Sequence, residues 1–199
     1  MQKKKENNIK VIVALLIVFV IGSFVTIRLV QLNTPAPTTS ATPGMSKQAF
    51  IKKLAPTAVQ IQKQKGVPAS ISLAQAALES NWGQSELAAK YNNLYGVKGS
   101  ANTRNIKLPT QEYVNGQWQT VNASFRWYDS WEQSMWAHAT LLEHGTSDNS
   151  QRYAKVIRSH NYRDAAQGLV DGGYATDPDY ASKLIEIIEK YHLNKYDQS

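Results

Sequence analysis

Glu79 follows an apolar stretch of sequence, which is an unusual place for a carboxylate. Residues 68 to 78 read PASISLAQAAL, and helical spacing would make this segment apolar over most of its circumference. Burial of an ionised carboxylate is costly, so the pKa of Glu79 should rise and favour the neutral acid. A general acid for glycoside cleavage needs that property. The structural alternative is that Glu79 pairs with a lysine or accepts hydrogen bonds at the helix end.

The residues directly after Glu79 favour the catalytic interpretation. The segment SNWGQ, residues 80 to 84, places small polar groups, an aromatic ring and a chain turn beside the carboxylate. Such a segment suits the rim of a sugar-binding site, where a ring can stack and a polar group such as Asn81 can hydrogen-bond.

Other kinds of chemistry have little support in the sequence. The chain has no cysteine, which removes disulfides, thiol nucleophiles and cysteine-based metal sites. The four histidines lack a ligand spacing such as HExxH, and the chain has no Gly-rich phosphate loop. We therefore expect catalysis without a metal or another cofactor.

The helices that must position Glu79 can be predicted from caps and spacing. Ser46 can cap a first helix, which the Ala55-Pro56 step should break or restart before Gly66 ends it. Pro68 then opens the apolar helix as a first-turn residue. A helix that is apolar over most of its circumference is typically buried, so Glu79 should lie at the end of a buried helix.

A small β element is predicted next, and helices follow it. Asn115-Gly116 is a two-residue hairpin signal flanked by EYV and QWQTV, and FRWY is a further strand-like run, so two or three strands are expected. SWEQ, residues 130 to 133, is a capping box that opens a helix to about His144, where Gly145 stops it. Helical patterns near residues 151–158 and 162–171 precede a last helix, for which Asp177 before Pro178 is the predicted N-cap.

Residues 1–46 divide into three segments that precede the domain. Residues 1–10 are basic, residues 11–32 are apolar, and residues 33–46 form a linker rich in Pro, Thr and Ser. No convincing Ala-x-Ala site follows the apolar run, which favours an uncleaved membrane anchor over a cleaved signal that would release a secreted protein. Lysines on its N-terminal side predict a single-pass membrane protein with residues 47–195 outside the cytoplasm.

Composition is consistent with one folded domain at residues 47–195. The 42% hydrophobic and 10% aromatic content excludes a disordered chain. The net charge of +7 arises largely before residue 33, so the domain itself is only mildly basic. That charge argues against nucleic acid as a partner, whereas an anionic wall polymer or a membrane surface is easily accommodated. We expect a monomer.

Residues 72–99, SLAQAALESNWGQSELAAKYNNLYGVKG, closely resemble the signature of the bacterial endo-β-N-acetylglucosaminidase autolysins, a family of peptidoglycan hydrolases. The resemblance continues through TQEYVNG at 110–116, FRWYDSWEQSMWAHATLL at 125–142 and YATDPDYASKLIEII at 174–188. It implies an α+β, mainly helical fold, with a lysozyme-like α lobe and a small β-hairpin lobe across a substrate groove. The predicted order of helix, hairpin and helix agrees with that fold.

The resemblance also implies roles for individual residues. Glu79 matches the family's catalytic acid, and Glu112, in the hairpin segment, matches a glutamate that assists on the other side of the bond. Tyr174 matches a family tyrosine that lines the cleft near the acid. The alternatives are a solvent-facing strand residue for Glu112 and a core tyrosine for Tyr174.

Aromatic residues in the matching blocks are candidates for binding sugar rings. Trp82, Tyr95 and Trp127 could act as stacking platforms beside Asn81, although each ring could equally belong to the core.

The implied reaction is hydrolysis of the β-1,4 bond after N-acetylglucosamine in peptidoglycan. The alternatives are cleavage after N-acetylmuramic acid, by a muramidase or a lytic transglycosylase, and a wall-binding module without catalysis. A Glu79–Glu112 separation of about 6.5 to 9.5 Å would favour inversion and one of about 5 to 5.5 Å retention, while a third route uses the substrate's acetamido group.

Overall fold

The computed structural model describes residues 44–114 and 117–198. The basic N-terminus, the predicted anchor and most of the predicted linker lie outside the described residues, as does the Asn115-Gly116 turn. Within the described ranges, no helix is both long and apolar enough to cross a membrane. These residues form a mainly helical domain with one antiparallel hairpin, which fits the predicted lysozyme-like α+β fold.

The helices and strands alternate in three blocks: helical, β and helical again. Their order is α1 (Lys47–Lys65), α2 (Ala69–Glu79), α3 (Glu86–Tyr91), β1 (Asn105–Val114), β2 (Gln117–Arg126), α4 (Trp131–His144), α5 (Ala154–Ile157), α6 (Tyr162–Asp171) and α7 (Tyr180–Lys190), followed by a 3-10 helix at Leu193–Gln198.

Helix α1 begins and ends as predicted but is not interrupted. The Ser46 hydroxyl accepts a hydrogen bond from the Ala49 N–H at 3.2 Å, and Gly66 ends the helix with φ of 74°. The predicted break at Pro56 is wrong, because α1 continues through it. Pro56 lies on the exposed side, while the opposite face buries apolar residues on both sides of it, so packing of that face outweighs the lost hydrogen bond.

Helix α2 is the central element of the core. Every residue from Ala69 to Ala77 is buried, and α2 contacts α1, α4, α6, α7 and the 3-10 helix. Its four alanines among these residues let the neighbouring helices approach closely. The prediction of a buried helix that ends at Glu79 is confirmed.

The hairpin pairs β1 with β2 from Asn105 opposite Arg126 to Val114 opposite Gln117. The run FRWY is not a separate strand, because its first two residues end β2 and the next two leave the sheet. The Trp127 N–H donates to the Arg104 carbonyl at 2.7 Å, and the Tyr128 N–H donates to the Tyr91 carbonyl at 3.0 Å. The first bond joins the two ends of the hairpin, and the second connects the hairpin to Tyr91, the last residue of α3.

The caps of α4 were predicted closely and those of α7 less so. The Ser130 hydroxyl accepts from the Gln133 N–H at 3.2 Å, and Gly145 ends α4. The N-cap of α7 is Asp179, not Asp177 as predicted. Asp177 instead accepts from the Asp179 N–H at 2.9 Å and pairs with Lys183, so it stabilises the turn that precedes the helix.

Two short elements were not predicted, namely α3 and the C-terminal 3-10 helix. Each spans only six residues, and α3 buries a single side chain, Ala88. Elements this short carry too little apolar periodicity to be recognised from sequence.

Candidate active site

Helix α2 brings Glu79 to the wall of a cleft between the helical lobe and the hairpin. The cleft encloses about 260 Å³. Its helical side includes Glu79, Ser85 and Leu87, and its β side includes Leu108, Thr110 and Phe125. The buried helix thus presents its last residue to a space that a polymer segment could enter.

The turn after Glu79 ends α2 by a left-handed path. Asn81, Trp82 and Gly83 have φ values of 49°, 60° and 78°. The Ser80 hydroxyl donates to the Ala76 carbonyl at 2.5 Å and accepts from the Gly83 N–H at 2.7 Å. Two consecutive non-glycine residues with positive φ are uncommon, and such strain persists only where the surrounding structure enforces it.

Glu79 is a weaker acid in this environment than an ordinary glutamate. Its burial raises the pKa of the carboxyl group to about 7, although the hydrogen bond from Tyr180 acts in the opposite direction. Tyr180 Oη donates to Glu79 Oε1 at 2.7 Å. The side chain is enclosed but keeps some accessible surface and lines the cleft. A carboxyl group that is largely protonated below about pH 7 therefore faces the space where a substrate would lie.

The rings behind Glu79 carry no charge at neutral pH. Tyr174 stacks on Tyr180 with ring centroids 5.6 Å apart, and its hydroxyl is 2.9 Å from His138 Nε2. His138 in turn stacks on Tyr95 at 4.0 Å. Burial lowers the pKa of His138 to about 3 and raises the pKa of each tyrosine. This group of rings therefore contains no positive charge that would stabilise the carboxylate form of Glu79.

Tyr180, not Tyr174, is the tyrosine that contacts the predicted acid. Tyr174 is 1% exposed, and its hydroxyl bonds to His138 in the core. Helical spacing would make Tyr180 one of the apolar positions of the last helix, and nothing in that spacing indicates its contact with Glu79. The block YATDPDY contains both tyrosines, but only the packing of α7 against α2 determines which hydroxyl reaches the carboxylate.

The predicted stacking platforms have different environments. Tyr95 is 1% exposed and donates to the Ser72 carbonyl at 3.2 Å, while Trp82 is 8% exposed and packs edge-on against Tyr191 at 4.7 Å. Both rings therefore lie in the core in this conformation. Trp127 is 37% exposed, with the Arg104 guanidinium 4.5 Å from the ring centre.

Asn81 and Glu112 lie on opposite lobes. Asn81 is exposed in the turn directly after the acid. Glu112 belongs to β1, where it is paired with Gln119, two positions after Thr110. Its side chain lies outside the described residues, so the separation of Glu79 from Glu112 stays open.

In the described ranges, no group of three or more histidine, aspartate or glutamate side chains could hold a metal ion. The candidate site instead consists of one carboxyl group with a raised pKa, held by a tyrosine in a cleft between a helical lobe and a β hairpin. These features define a lysozyme-like glycosidase as the class of protein.

Comparison with known proteins identifies the family. The profile described as mannosyl-glycoprotein endo-beta-N-acetylglucosaminidase matches residues 55–193. The exo-glucosaminidase LytG of Bacillus subtilis (strain 168) is 40% identical over 199 residues, which cover 100% of this chain and 71% of LytG. A probable N-acetylmuramidase of Lactococcus lactis subsp. cremoris (strain MG1363) is 37% identical over 90% of this chain, which spans only 41% of that protein.

Solved structures agree with this result. The catalytic domain of the autolysin Auto from Listeria monocytogenes has a TM-score of 0.72 at 40% identity, covering 80% of this chain and 92% of that one. A C-terminally truncated glycoside hydrolase domain of FlgJ from Salmonella typhimurium has a TM-score of 0.60 at 36% identity, covering 74% of this chain and 98% of that one. The chain therefore belongs to the glucosaminidase family and is a glycoside hydrolase.

Proposed function

We propose that this enzyme cleaves the β-1,4 glycosidic bond after N-acetylglucosamine in the glycan strands of peptidoglycan. Its class, a peptidoglycan hydrolase, follows from the family and from its similarity to LytG, FlgJ and the autolysin of Listeria. The position of the bond is the proposal. It is supported by the name of the matching family and by that of LytG, which both specify a glucosaminidase.

The observation that carries the mechanism is the raised pKa of the Glu79 carboxyl group, which lines the cleft. Glu79 gives its proton to the glycosidic oxygen as the bond from that oxygen to the anomeric carbon breaks. Glu79 is left as a carboxylate, and the hydroxyl of Tyr180, which already bonds to Oε1, stabilises that negative charge.

Glu112 is our candidate for the second group. Leu108, Pro109 and Thr110 line the cleft, but Leu108 and Thr110 are less exposed than Pro109. Glu112 is the next residue in that alternation along β1. It would stabilise positive charge at the anomeric carbon or activate the water, unless the acetamido group of the substrate does so and leaves Glu112 as a helper. NMR of the first-formed product anomer separates inversion from retention.

The remaining predicted residues have supporting or binding roles in this proposal. Tyr174 stacks on Tyr180 and so supports the tyrosine that bonds to Glu79. Trp82 and Tyr95 pack in the core near the acid, whereas Asn81 and Trp127 are exposed and are our candidates for direct contact with the glycan.

A membrane location is a further part of the proposal. It is supported by the charge-free run at residues 11–27 and by the lysines before it. A single-pass anchor would leave the enzyme outside the cytoplasm and next to its wall substrate. Cell fractionation tests this location, and light scattering of the purified protein tests the expected monomer.

A zymogram of the wild type beside Glu79→Gln tests the role of the acid. We expect clearing of the wall substrate by the wild type and none by the variant, because glutamine cannot donate a proton to the leaving oxygen. Equal clearing by both would contradict the role of Glu79. No clearing by either would favour a wall-binding module.

Analysis of the new reducing ends in digested peptidoglycan tests the bond. N-acetylglucosamine at those ends supports our assignment. The similarity to a probable N-acetylmuramidase makes cleavage after N-acetylmuramic acid the second candidate. New ends of muramic acid or its anhydro form would establish that candidate and refute ours.

A further inference from the structure

We propose that Gln75 is a positioning residue that acts on Glu79 through Tyr180, and that its side-chain amide decides which carboxyl oxygen carries the catalytic proton. The inference rests on the proposed role of Glu79 as the acid. Gln75 contacts neither the cleft nor the carboxyl group directly, so its influence would be exerted through the hydroxyl of Tyr180.

The contacts form a chain of two hydrogen bonds. Gln75 Nε2 donates to Tyr180 Oη at 2.9 Å, and Tyr180 Oη donates to Glu79 Oε1 at 2.7 Å. Gln75 and Glu79 are four residues apart, so they lie on the same face of α2. Tyr180 is the first residue of α7, and its hydroxyl reaches both side chains from that helix.

The direction of these bonds is set by the amide. A tyrosine hydroxyl has one proton to donate, and here the Gln75 N–H group occupies a lone pair of the Tyr180 oxygen. The hydroxyl proton is therefore directed at Glu79 Oε1. With the amide reversed, Gln75 Oε1 would take the Tyr180 proton, and a neutral Glu79 would donate its own proton to Tyr180. The acid proton would then point into the protein.

The other carboxyl oxygen is available to the substrate. Glu79 Oε2 has no hydrogen-bond partner among the described residues. It is not among the buried atoms without a partner, so it keeps some accessible surface. Because Oε1 accepts from Tyr180, the proton of the neutral acid resides on Oε2. This is the oxygen from which it can pass to the glycosidic oxygen, as the bond to the anomeric carbon breaks and Glu79 becomes a carboxylate.

A purely structural role does not explain a glutamine at position 75. It is fully buried, and its Oε1 atom has no hydrogen-bond partner in the described part of the chain. An unsatisfied buried acceptor costs stability, and an apolar residue of similar volume would avoid that cost. The orientation of Tyr180 supplies a reason for an amide at this position.

The ionisable groups around Glu79 would not obscure a change in its titration. Tyr180 from α7, Tyr174 from the segment before α7 and Tyr95 from the segment after α3 all have raised pKa values. Glu86 of α3 lines the same cleft. All three tyrosines stay neutral over the pH range of the assay. The loss of activity on the alkaline side of the pH–rate profile therefore follows the ionisation of Glu79.

The test uses the full chain with Gln75→Met, Tyr180→Phe and the double variant, assayed on soluble, uncrosslinked glycan strands from peptidoglycan. Loss of one hydrogen bond in the chain should lower kcat by about tenfold for Gln75→Met. KM should stay within about twofold, because Gln75 does not touch the substrate. The alkaline limb should move to higher pH, since a weaker bond from Tyr180 stabilises the carboxylate less.

The double variant provides the decisive comparison. If Gln75 acts through Tyr180, adding Gln75→Met to Tyr180→Phe should cause no further loss of kcat. Losses that multiply in the double variant would overturn the proposal, as would an unchanged alkaline limb or a change confined to KM. Gln75→Asn, whose amide is one methylene shorter, serves the same test if Gln75→Met does not fold.

Gln62→Met is the matched control. Gln62 is a half-buried glutamine with two hydrogen bonds, to the Asp197 carbonyl at 2.7 Å and from the Ala69 N–H at 2.6 Å. Gln62 belongs to α1 and contacts α2 at Ala69, the end of α2 opposite Glu79, so its variant should lower the melting temperature without moving the pH profile. Failure of Glu79→Gln to abolish activity would refute the role of Glu79 as the acid, on which this inference rests. An inactive Glu79→Gln variant, together with a Gln75→Met variant whose kcat and pH–rate profile match the wild type, would refute only this inference.

Discussion

At the scale of the residue, the chemistry of Glu79 is a property of its surroundings. Burial disfavours the carboxylate, and the C-terminal end of α2, where the helix dipole is negative, acts in the same direction. His138 is close enough to contact Tyr174 but stays neutral, so it adds no positive charge. Only the hydrogen bond from Tyr180 favours ionisation. The balance leaves a carboxyl group that is still half protonated near neutral pH.

The pH dependence of activity follows from this pKa. Glu79 must be protonated to act as an acid, and its pKa is about 7. We expect kcat/KM on soluble glycan strands to fall as the pH rises through about 7, because kcat/KM reports the ionisation of the free enzyme. The measurement is a pH–rate profile between about pH 5 and pH 9. A flat profile across neutral pH would contradict the assignment of Glu79.

The stability of Glu79→Gln should also depend on pH. The folded protein holds the Glu79 proton up to a pH of about 7, whereas the unfolded chain releases it near the ordinary value of 4.5. The stability of the wild type therefore falls between these two pH values and then levels off. Glutamine does not titrate, so the variant should gain about 1 to 3 kcal/mol relative to the wild type by pH 8, and little at pH 4.

Denaturant unfolding of both proteins at the two pH values measures this difference. The Glu86→Gln variant is a suitable control, because Glu86 lines the same cleft and its carboxyl group is paired with Lys90 on the surface. An advantage of Glu79→Gln that did not grow with pH would show that the pKa of Glu79 is not raised in the folded protein.

At the scale of the element, the turn after α2 is held against the first residue of α4. Gly83 is essential there for two reasons: its φ is +78°, and an added Cβ atom would lie 2.6 Å from Trp131 Cη2. Trp131 is held in place by the hydrogen bond from its ring N–H to the Ala88 carbonyl at 2.9 Å. Trp131, the first residue of α4, thus restricts the conformation of the turn directly after Glu79.

We predict that Gly83→Ala destabilises the fold by about 2 to 4 kcal/mol and lowers activity. The change adds both backbone strain and a steric overlap. Gly96→Ala is the matched control for stability, since φ is +65° and nothing lies within 4 Å of the added Cβ atom. It should cost only about 1 kcal/mol. Equal destabilisation in denaturant unfolding would show that contact with Trp131 is unimportant.

At the scale of the whole molecule, the two lobes are stabilised to different degrees. The helical lobe contains one continuous core that extends from Phe50 to Leu193. The strands of the hairpin contact each other far more than they contact the helices. Backbone hydrogen bonds at its base, including that from the Arg126 N–H to the Val97 carbonyl at 2.9 Å, connect it to the helical lobe. The hairpin can therefore move without disruption of the core.

Hydrogen exchange should reveal this difference. We expect the amides of α2 to exchange only on global unfolding and those of β1 and β2 to exchange much faster, because the hairpin buries little apolar surface. Glycan strands bound to the inactive Glu79→Gln variant should slow exchange in the hairpin, since the cleft lies between the lobes. Protection of β1 equal to that of α2 in the free protein would contradict the prediction.

The features that the sequence determined by itself are those with a local physical cause. The apolar circumference of residues 68–78 predicted a buried helix, and the caps at Ser46 and Ser130 fixed two helix starts. The dipeptide Asn115-Gly116 predicted the hairpin, whose paired strands the structure contains on either side of it. Each of these signals involves residues within a turn or two of one another, so no knowledge of distant packing is required.

Tertiary structure decided which side chains meet. Pro56 is tolerated because the apolar face of α1 continues to pack past it, and Trp82 and Tyr95 are buried while Trp127 is exposed. The contact of Tyr180 with Glu79 joins residues far apart in the chain. The local sequence around an aromatic residue does not tell whether its ring lies in a core, a cleft or a surface patch. The role of Tyr180 therefore depends on how α2 and α7 pack together. That packing is a property of the assembled core, which local sequence does not encode.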